Sequence, residues 1–178
     1  MNQDGNLDII TPNVSSDNVS VLLGNGKGDF SSAPHSPFRV ETRPYFATAG
    51  DLNGDGNLDI ITSHDDITKI SFLLGDEKGE FKAAPASPLD IGKRGWKAEV
   101  ADINQDSLAD LVLCNTGVDY VTVMLGDGKV NFKPATGSPY KVGSGPTGIA
   151  VGDVNGDGKK DIVAANSRGN NVTVLLAR

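Results

Sequence analysis

The sequence predicts an all-β fold, a β-propeller of four-stranded blades on a 51-residue repeat. Three observations predict it. An acidic ten-residue pattern recurs at a fixed interval. Each recurrence is followed by the same series of short apolar runs and glycine turns. The composition disfavours helices: of 23 acidic residues 19 are Asp and 4 are Glu, beside 22 Gly, 14 Asn and 9 Pro. Glu suits helices, whereas Asp, Asn, Gly and Pro suit turns and loops. Hydrophobic residues make up 38% and charged residues 22% of the 178, so a core can form and disorder is disfavoured.

The pattern Asp51-Leu52-Asn53-Gly54-Asp55-Gly56-Asn57-Leu58-Asp59-Ile60 returns as Asp102-Ile103-Asn104-Gln105-Asp106-Ser107-Leu108-Ala109-Asp110-Leu111 and as Asp153-Val154-Asn155-Gly156-Asp157-Gly158-Lys159-Lys160-Asp161-Ile162. Asn2 to Ile9 fits the same register without the leading Asp. Leu23, Leu74, Leu125 and Leu176 align, as do Phe30, Phe81 and Phe132, and Ser36-Pro37, Ser87-Pro88 and Ser138-Pro139.

The second unit shows the elements in order. Phe46 to Gly50 reads as a small-residue strand A leading into the Asp loop. Leu58 to Thr62 is an apolar strand B and Ile70 to Leu74 is strand C. The glycines of Gly75-Asp76-Glu77-Lys78-Gly79 suit a hairpin turn. Strand D begins at Phe81, and the prolines beyond it make it an edge or irregular strand. Four antiparallel strands per repeat describe a propeller blade. A sandwich is the competitor, but strict repetition favours radial stacking.

The units run at about 1–50, 51–101, 102–152 and 153–178, with the first and last incomplete. That makes about three and a half blades in one region spanning 1–178, with no room for a second domain. The expectation is a segment of a larger propeller, of seven blades for instance. A self-closed ring of four blades is the alternative. An open inner edge at Ile9 to Thr11 and exposed terminal blade faces would then promote self-association.

Several classes are disfavoured. A net charge of −7 opposes nucleic acid or an anionic membrane as partner. No apolar run approaches the roughly 20 residues of a membrane helix. The start, Met1-Asn2-Gln3-Asp4, has neither a basic region nor an apolar stretch, so no signal peptide is expected there. Cys114 stands alone in an apolar run, which excludes a disulfide framework and reads as a small buried hydrophobe.

The acidic loop carries the chemistry. Positions 1, 3, 5 and 9 hold Asp, Asn, Asp and Asp, oxygen donors around a tight glycine turn. Several carboxylates and no His or Cys suit Ca²⁺ rather than zinc or copper. The loops hold 11 aspartates, and outside them 12 acids face 16 Lys and Arg, so the acidic excess lies in the loops. Carboxylates this close repel unless a cation lies among them. An EF-hand loop would need Glu at position 12, where Thr62, Leu113 and Ala164 stand, and helices, where the flanks are strand-like.

The run Asp-x-Asn-x-Asp-Gly-x-x-Asp-Ile, then an apolar strand and Val-Leu-Leu-Gly-x-Gly-x-Gly-x-Phe, resembles the FG-GAP/VCBS repeat family, the calcium-binding blades of integrin-α-like propellers. The resemblance covers the whole chain. It implies Ca²⁺ held by side chains at positions 1, 3, 5 and 9 and the carbonyl at position 7. One set would be Asp51, Asn53, Asp55, the Asn57 carbonyl and Asp59. A second would be Asp102, Asn104, Asp106, the Leu108 carbonyl and Asp110, and a third Asp153, Asn155, Asp157, the Lys159 carbonyl and Asp161. Asn2, Asp4, the Asn6 carbonyl and Asp8 form an incomplete fourth. Ser107 departs from the family glycine and would strain a backbone of positive φ.

The loops read as blade scaffolding rather than catalytic centres, which need an open metal position and a nearby acid or base. His35 and His64 occupy unrelated repeat positions, and nothing marks a nucleophile, so no enzyme is expected. Gly24-Asn25-Gly26-Lys27-Gly28 lacks the Walker spacing of a phosphate loop. At the opposite face Arg43 aligns with Arg94 and Tyr45 with Trp96, a candidate surface for a protein or glycan ligand. The competing reading makes these aromatics blade-interface plugs. Asn13, Asn115 and Asn166, aligned with His64, read as turn formers. Three glycosylation sequons begin at Asn13, Asn18 and Asn171.

The expected function is therefore a calcium-stabilised binding or adhesion module, extracellular or at the cell surface as the resemblance implies. The alternative is a carbohydrate-binding propeller or a non-catalytic appendage of a polysaccharide-active enzyme.

Overall fold

The computed structural model describes residues 1–65 and 67–178. Among them are seventeen strands in four antiparallel sheets, and no helix. The first sheet holds β1 (Ile9–Asn13), β2 (Asn18–Gly24), β3 (Phe30–Ser32) and β4 (Phe38–Arg39). The second holds β5 (Pro44–Gly50), β6 (Asp59–His64), β7 (Lys69–Gly75), β8 (Phe81–Ala83) and β9 (Leu89–Asp90). The third repeats it as β10 (Gly95–Ala101), β11 (Asp110–Asn115), β12 (Tyr120–Gly126), β13 (Phe132–Pro134) and β14 (Tyr140–Lys141). The fourth has β15 (Pro146–Gly152), β16 (Asp161–Asn166) and β17 (Asn171–Leu175). Each sheet is a blade of a β-propeller segment, and β1, β6, β11 and β16 are its B strands.

The core explains the continuous apolar run of strand B. Successive side chains of a strand point to opposite faces, and both faces of a middle blade meet another blade. Ile60 packs with Val19, Val21 and Phe38 of the first blade, while its neighbour Ile61 packs with Leu111 and Leu113 of the third. In turn Val112 and Cys114 face Ile149, Ile162 and Ala164 of the fourth. All of β6 and all of β11 are buried. Each buried Val, Leu or Ile contributes about 1.5–3 kcal/mol, so the blade stack is held chiefly by these B strands. Cys114 is fully buried, as its apolar run predicts, and burial pushes its thiol pKa up.

Strand D is broken in two in each complete blade. β8 and β9 both pair with β7, and β13 and β14 both pair with β12. Between the halves, Ser36, Ser87 and Ser138 precede cis prolines. Proline has no N–H for a ladder. The serine hydroxyls instead accept from the strand C amides of Val21, Phe72 and Val123 at 3.0, 2.9 and 2.9 Å. The aligned aromatic that opens strand D packs back on the preceding blade. Phe81 meets Phe38 edge-on at 5.1 Å between centroids, and Phe132 lies 5.3 Å from Phe72.

Strand A pairs with strand B through a bulge at the same place in three blades. The register slips between Pro44 and Phe46, between Gly95 and Lys97, and between Pro146 and Gly148. The extra residues are Tyr45, Trp96 and Thr147. A bulge re-aims its extra side chain, which matters for the face described below.

Candidate metal loops and an aromatic face

The loop between strands A and B folds on its own carboxylates. Asp51 accepts the amides of Gly54 and Gly56 at 2.8 and 2.9 Å. Asp153 accepts those of Gly156, Asp157 and Gly158, and Asp102 those of Asp106 and Ser107. The next turn is built by the Asp at position 5. Asp4, Asp55, Asp106 and Asp157 accept the amides of Asn6, Asn57, Leu108 and Lys159 at 2.8–2.9 Å. In each loop the Asn at position 3 donates its side-chain amide to that Asp. The Asn57 amide holds Asp55 below the ordinary carboxylate pKa, and the Gly158 amide does the same for Asp153.

Such a loop requires left-handed backbone at two positions. Position 6 has φ of 84° at Gly56 and 83° at Gly158, but 68° at Ser107. The serine therefore carries the strain expected of it, about 1–2 kcal/mol. Position 4 is also left-handed, with φ of 73° and 80° at Gly54 and Gly156 but 60° and 64° at Gln3 and Gln105.

The Asp at position 9 has a distinct role. Asp59, Asp110 and Asp161 are fully buried. One oxygen accepts from the second residue of its own loop, at 2.9 Å from Leu52, 2.9 Å from Ile103 and 3.0 Å from Val154. The other accepts from the end of strand C, at 2.9 Å from Gly75 and Gly126, or from just past it, at 2.8 Å from Ala177. Asp8 does the same with Gly24 at 2.9 Å, and the amino group of Met1 stands where the other loops place an amide. This carboxylate staples loop to strand, a role that the repeat pattern alone does not disclose.

Among the described residues no three carboxylate, imidazole or thiol groups are gathered as a metal cluster. The set implied by the resemblance is wider, since it includes the Asn side chain and a backbone carbonyl. The donors fit a hard cation in kind and charge. Three carboxylates lie within nine residues, with only oxygen donors. Asp59 has no Lys or Arg partner among the described residues. Burial raises its pKa, two backbone amides oppose that, and the charges of Asp55 and Asp51 raise it further. Asp110 is raised likewise by burial, with the charge of Asp106 adding to it. A buried anion facing like charges is a place where a cation is stabilising.

Neighbouring loops touch. Gln3 donates its side-chain amide to Asn57 Oδ1 at 2.7 Å and to the Gly56 carbonyl at 3.2 Å. Gln105 donates to the Gly158 carbonyl at 2.9 Å. Compositional reading missed both glutamines, although their standing where two other units have glycine is visible in the alignment.

At the other end of strand A the bulged Tyr45 and Trp96 come together, with ring centroids 4.1 Å apart and planes tilted by 40°. Tyr45 stays 46% exposed, whereas Trp96 packs on the core between the third and fourth blades. One is thus a surface ring and the other a plug. Arg43 pairs with Asp65 at 2.9 Å, and the Arg94 carbonyl accepts from Asn115. Of the asparagines expected as turn formers, Asn13 closes a turn by accepting the Ser16 amide on its carbonyl at 3.1 Å, and all three side chains have a further role. Asn13, Asn115 and Asn166 bond side chains of strand C, Ser20, Thr122 and Thr173. His64 does the same with Ser71 at 3.0 Å and contacts the Thr42 carbonyl at 2.8 Å.

One solved structure shares this fold, and a family profile matches the repeat. The solved structure of BBS1N in complex with ARL6DN superposes with a TM-score of 0.51 at 10% identity, covering 96% of this chain and 56% of that one. The biofilm matrix protein Bap1 of V. cholerae superposes at 0.47 and 19% identity, covering 91% of this chain and 29% of that one. The chain thus spans about half of the first structure and under a third of the second. No curated protein matches it. The FG-GAP-like repeat profile matches residues 1–62, 51–113 and 102–164, three overlapping spans set one repeat apart. With the staple, the loop and the blade recurring together across those spans, the chain belongs to the FG-GAP-like repeat family.

Proposed function

We propose that this chain is a calcium-stabilised propeller module that works outside the cell as a non-enzymatic binding or adhesion surface. The observation that carries the calcium reading is the position 9 carboxylate of the complete loops, buried beside two others and, among the described residues, without a cationic side chain. Asp51, Asn53, Asp55, the Asn57 carbonyl and Asp59 would hold one ion. Asp102, Asn104, Asp106, the Leu108 carbonyl and Asp110 would hold another, and Asp153, Asn155, Asp157, the Lys159 carbonyl and Asp161 a third. Asn2, Asp4, the Asn6 carbonyl and Asp8 would bind weakly or not at all. Ca²⁺ supplies charge neutralisation there. The residues supply the turn geometry, already set by their bonds to the loop amides. Metal analysis after dialysis against chelator and readdition is expected to return three ions per chain. A count near zero, or zinc in place of calcium, would overturn the reading.

The extracellular setting rests on the family resemblance. The carbohydrate-binding reading has one observation in its favour, the exposed Tyr45 ring braced by Trp96 at a bulge, since a flat aromatic face suits a sugar ring. A glycan array with and without Ca²⁺ separates the two readings. Glycan binding lost in Tyr45→Ala supports the second, and binding of protein ligands alone supports the first.

A further inference from the structure

The glutamines at position 4 give the four loops an order that repetition alone would not. Gln3 of the first loop reaches the second at Gly56 and Asn57, and Gln105 of the third reaches the fourth at Gly158. The second and fourth loops have Gly54 and Gly156 at that position, which have no side chain to extend. Both glutamines hold left-handed backbone, φ 60° and 64°, where glycine would be unstrained. Keeping a side chain at a cost in strain marks a position whose side chain has a use.

Each glutamine lies between two residues of its own candidate ion set, Asn104 and Asp106 in the third loop. Its amide ends on the carbonyl next to Lys159, the residue whose own carbonyl belongs to the neighbouring set. Ordering Asn104 and Asp106 around an ion fixes the Gln105 backbone between them. That holds the Gly158 carbonyl and so the turn from which the next loop offers its donor. Whatever one loop gains in order, the other need not supply again, and the effect runs equally in both directions.

We propose that Gln105 is a positioning residue that couples the third and fourth cation loops, whereas Gln3 makes the same kind of contact to the second loop from a first loop that lacks the full ion set. This rests on the calcium reading above. The test follows amide resonances during a Ca²⁺ titration of the chelator-treated full chain and of Gln105→Gly. That substitution gives the loop the residue its sister loops already carry, so the variant is expected to fold. Gly156 and Gly158 report the fourth loop, Asp106 the third, and Gly54 and Gly56 the second. In the parent chain the third and fourth loops are expected to titrate together. In the variant the fourth-loop midpoint should rise about two- to tenfold, the range of one net hydrogen bond, while the second-loop midpoint stays in place. Loops that titrate in both proteins with the same fourth-loop midpoint would overturn the coupling and spare the calcium reading. Loops that do not respond to Ca²⁺ in either protein would overturn both.

Discussion

Asp59 and Asp55 belong to one loop, yet the structure separates what they do. Asp59 is buried and accepts two backbone amides, one on each oxygen. Asp55 is exposed and holds a turn. Asp59→Asn replaces one acceptor oxygen by a donor and leaves one buried amide facing it. It should destabilise by about 1–3 kcal/mol in chelator as well as in Ca²⁺. Asp55→Ala should mainly abolish the stabilisation that Ca²⁺ adds. Paired urea titrations of both variants, with and without Ca²⁺, check this. Equal behaviour of the two would remove the added structural role of Asp59. Ser107→Gly relaxes a left-handed serine and should gain about 1 kcal/mol by the same measurement. The sequence alignment exposed Ser107 because glycine marks the position in the three other units, Gly5, Gly56 and Gly158. It did not expose the reach of Gln3 and Gln105 to the neighbouring loops or the staple at Asp59, because residue type at a repeat position does not say where a side chain ends.

At the scale of the element, the strands were legible to within two residues. Strand B was read as Leu58 to Thr62 and lies at Asp59–His64, and strand C was read as Ile70 to Leu74 and lies at Lys69–Gly75. Apolar runs reveal burial on both faces, and these strands have it. Strand D was legible only as irregular. Its two halves depend on a side-chain hydroxyl bonding across to strand C, a long-range contact that local pattern does not carry. The Ser-Pro pairs mark the place of the break by their alignment, but not the bond that makes it. Ser87→Ala leaves the Phe72 amide without its 2.9 Å acceptor and should destabilise by about 1–3 kcal/mol. Ser87→Thr keeps a hydroxyl and is expected to recover part of that. Thermal melts of the two variants against the parent check it, and an unchanged Ser87→Ala melt would mean water replaces the serine.

For the whole molecule, stability comes from blades stacked face to face, and the end faces have one neighbour fewer. Ile9, Val172, Val174 and Leu176 are 40%, 60%, 48% and 53% exposed. Apolar side chains grouped at a sheet face favour association, so the isolated chain is expected to show mass rising with concentration in light scattering. A monomer at all concentrations would oppose this and favour a closed ring of four blades.

The central claim is that the repeated loops are calcium sites whose occupation stabilises the blades, and scanning calorimetry in Ca²⁺, in excess chelator and after Ca²⁺ readdition tests it most directly. A ligand bound only by the folded chain adds about 2.7 kcal/mol per site at a hundredfold excess over Kd. For a chain of this length 1 kcal/mol moves the midpoint by about 2–4 °C. One site should therefore shift Tm by about 5–10 °C, and three by more. The account predicts a fall of at least that size in chelator, reversed by Ca²⁺ and not by Mg²⁺. A melting temperature unchanged by chelator would contradict it and leave the loops as hydrogen-bonded turns.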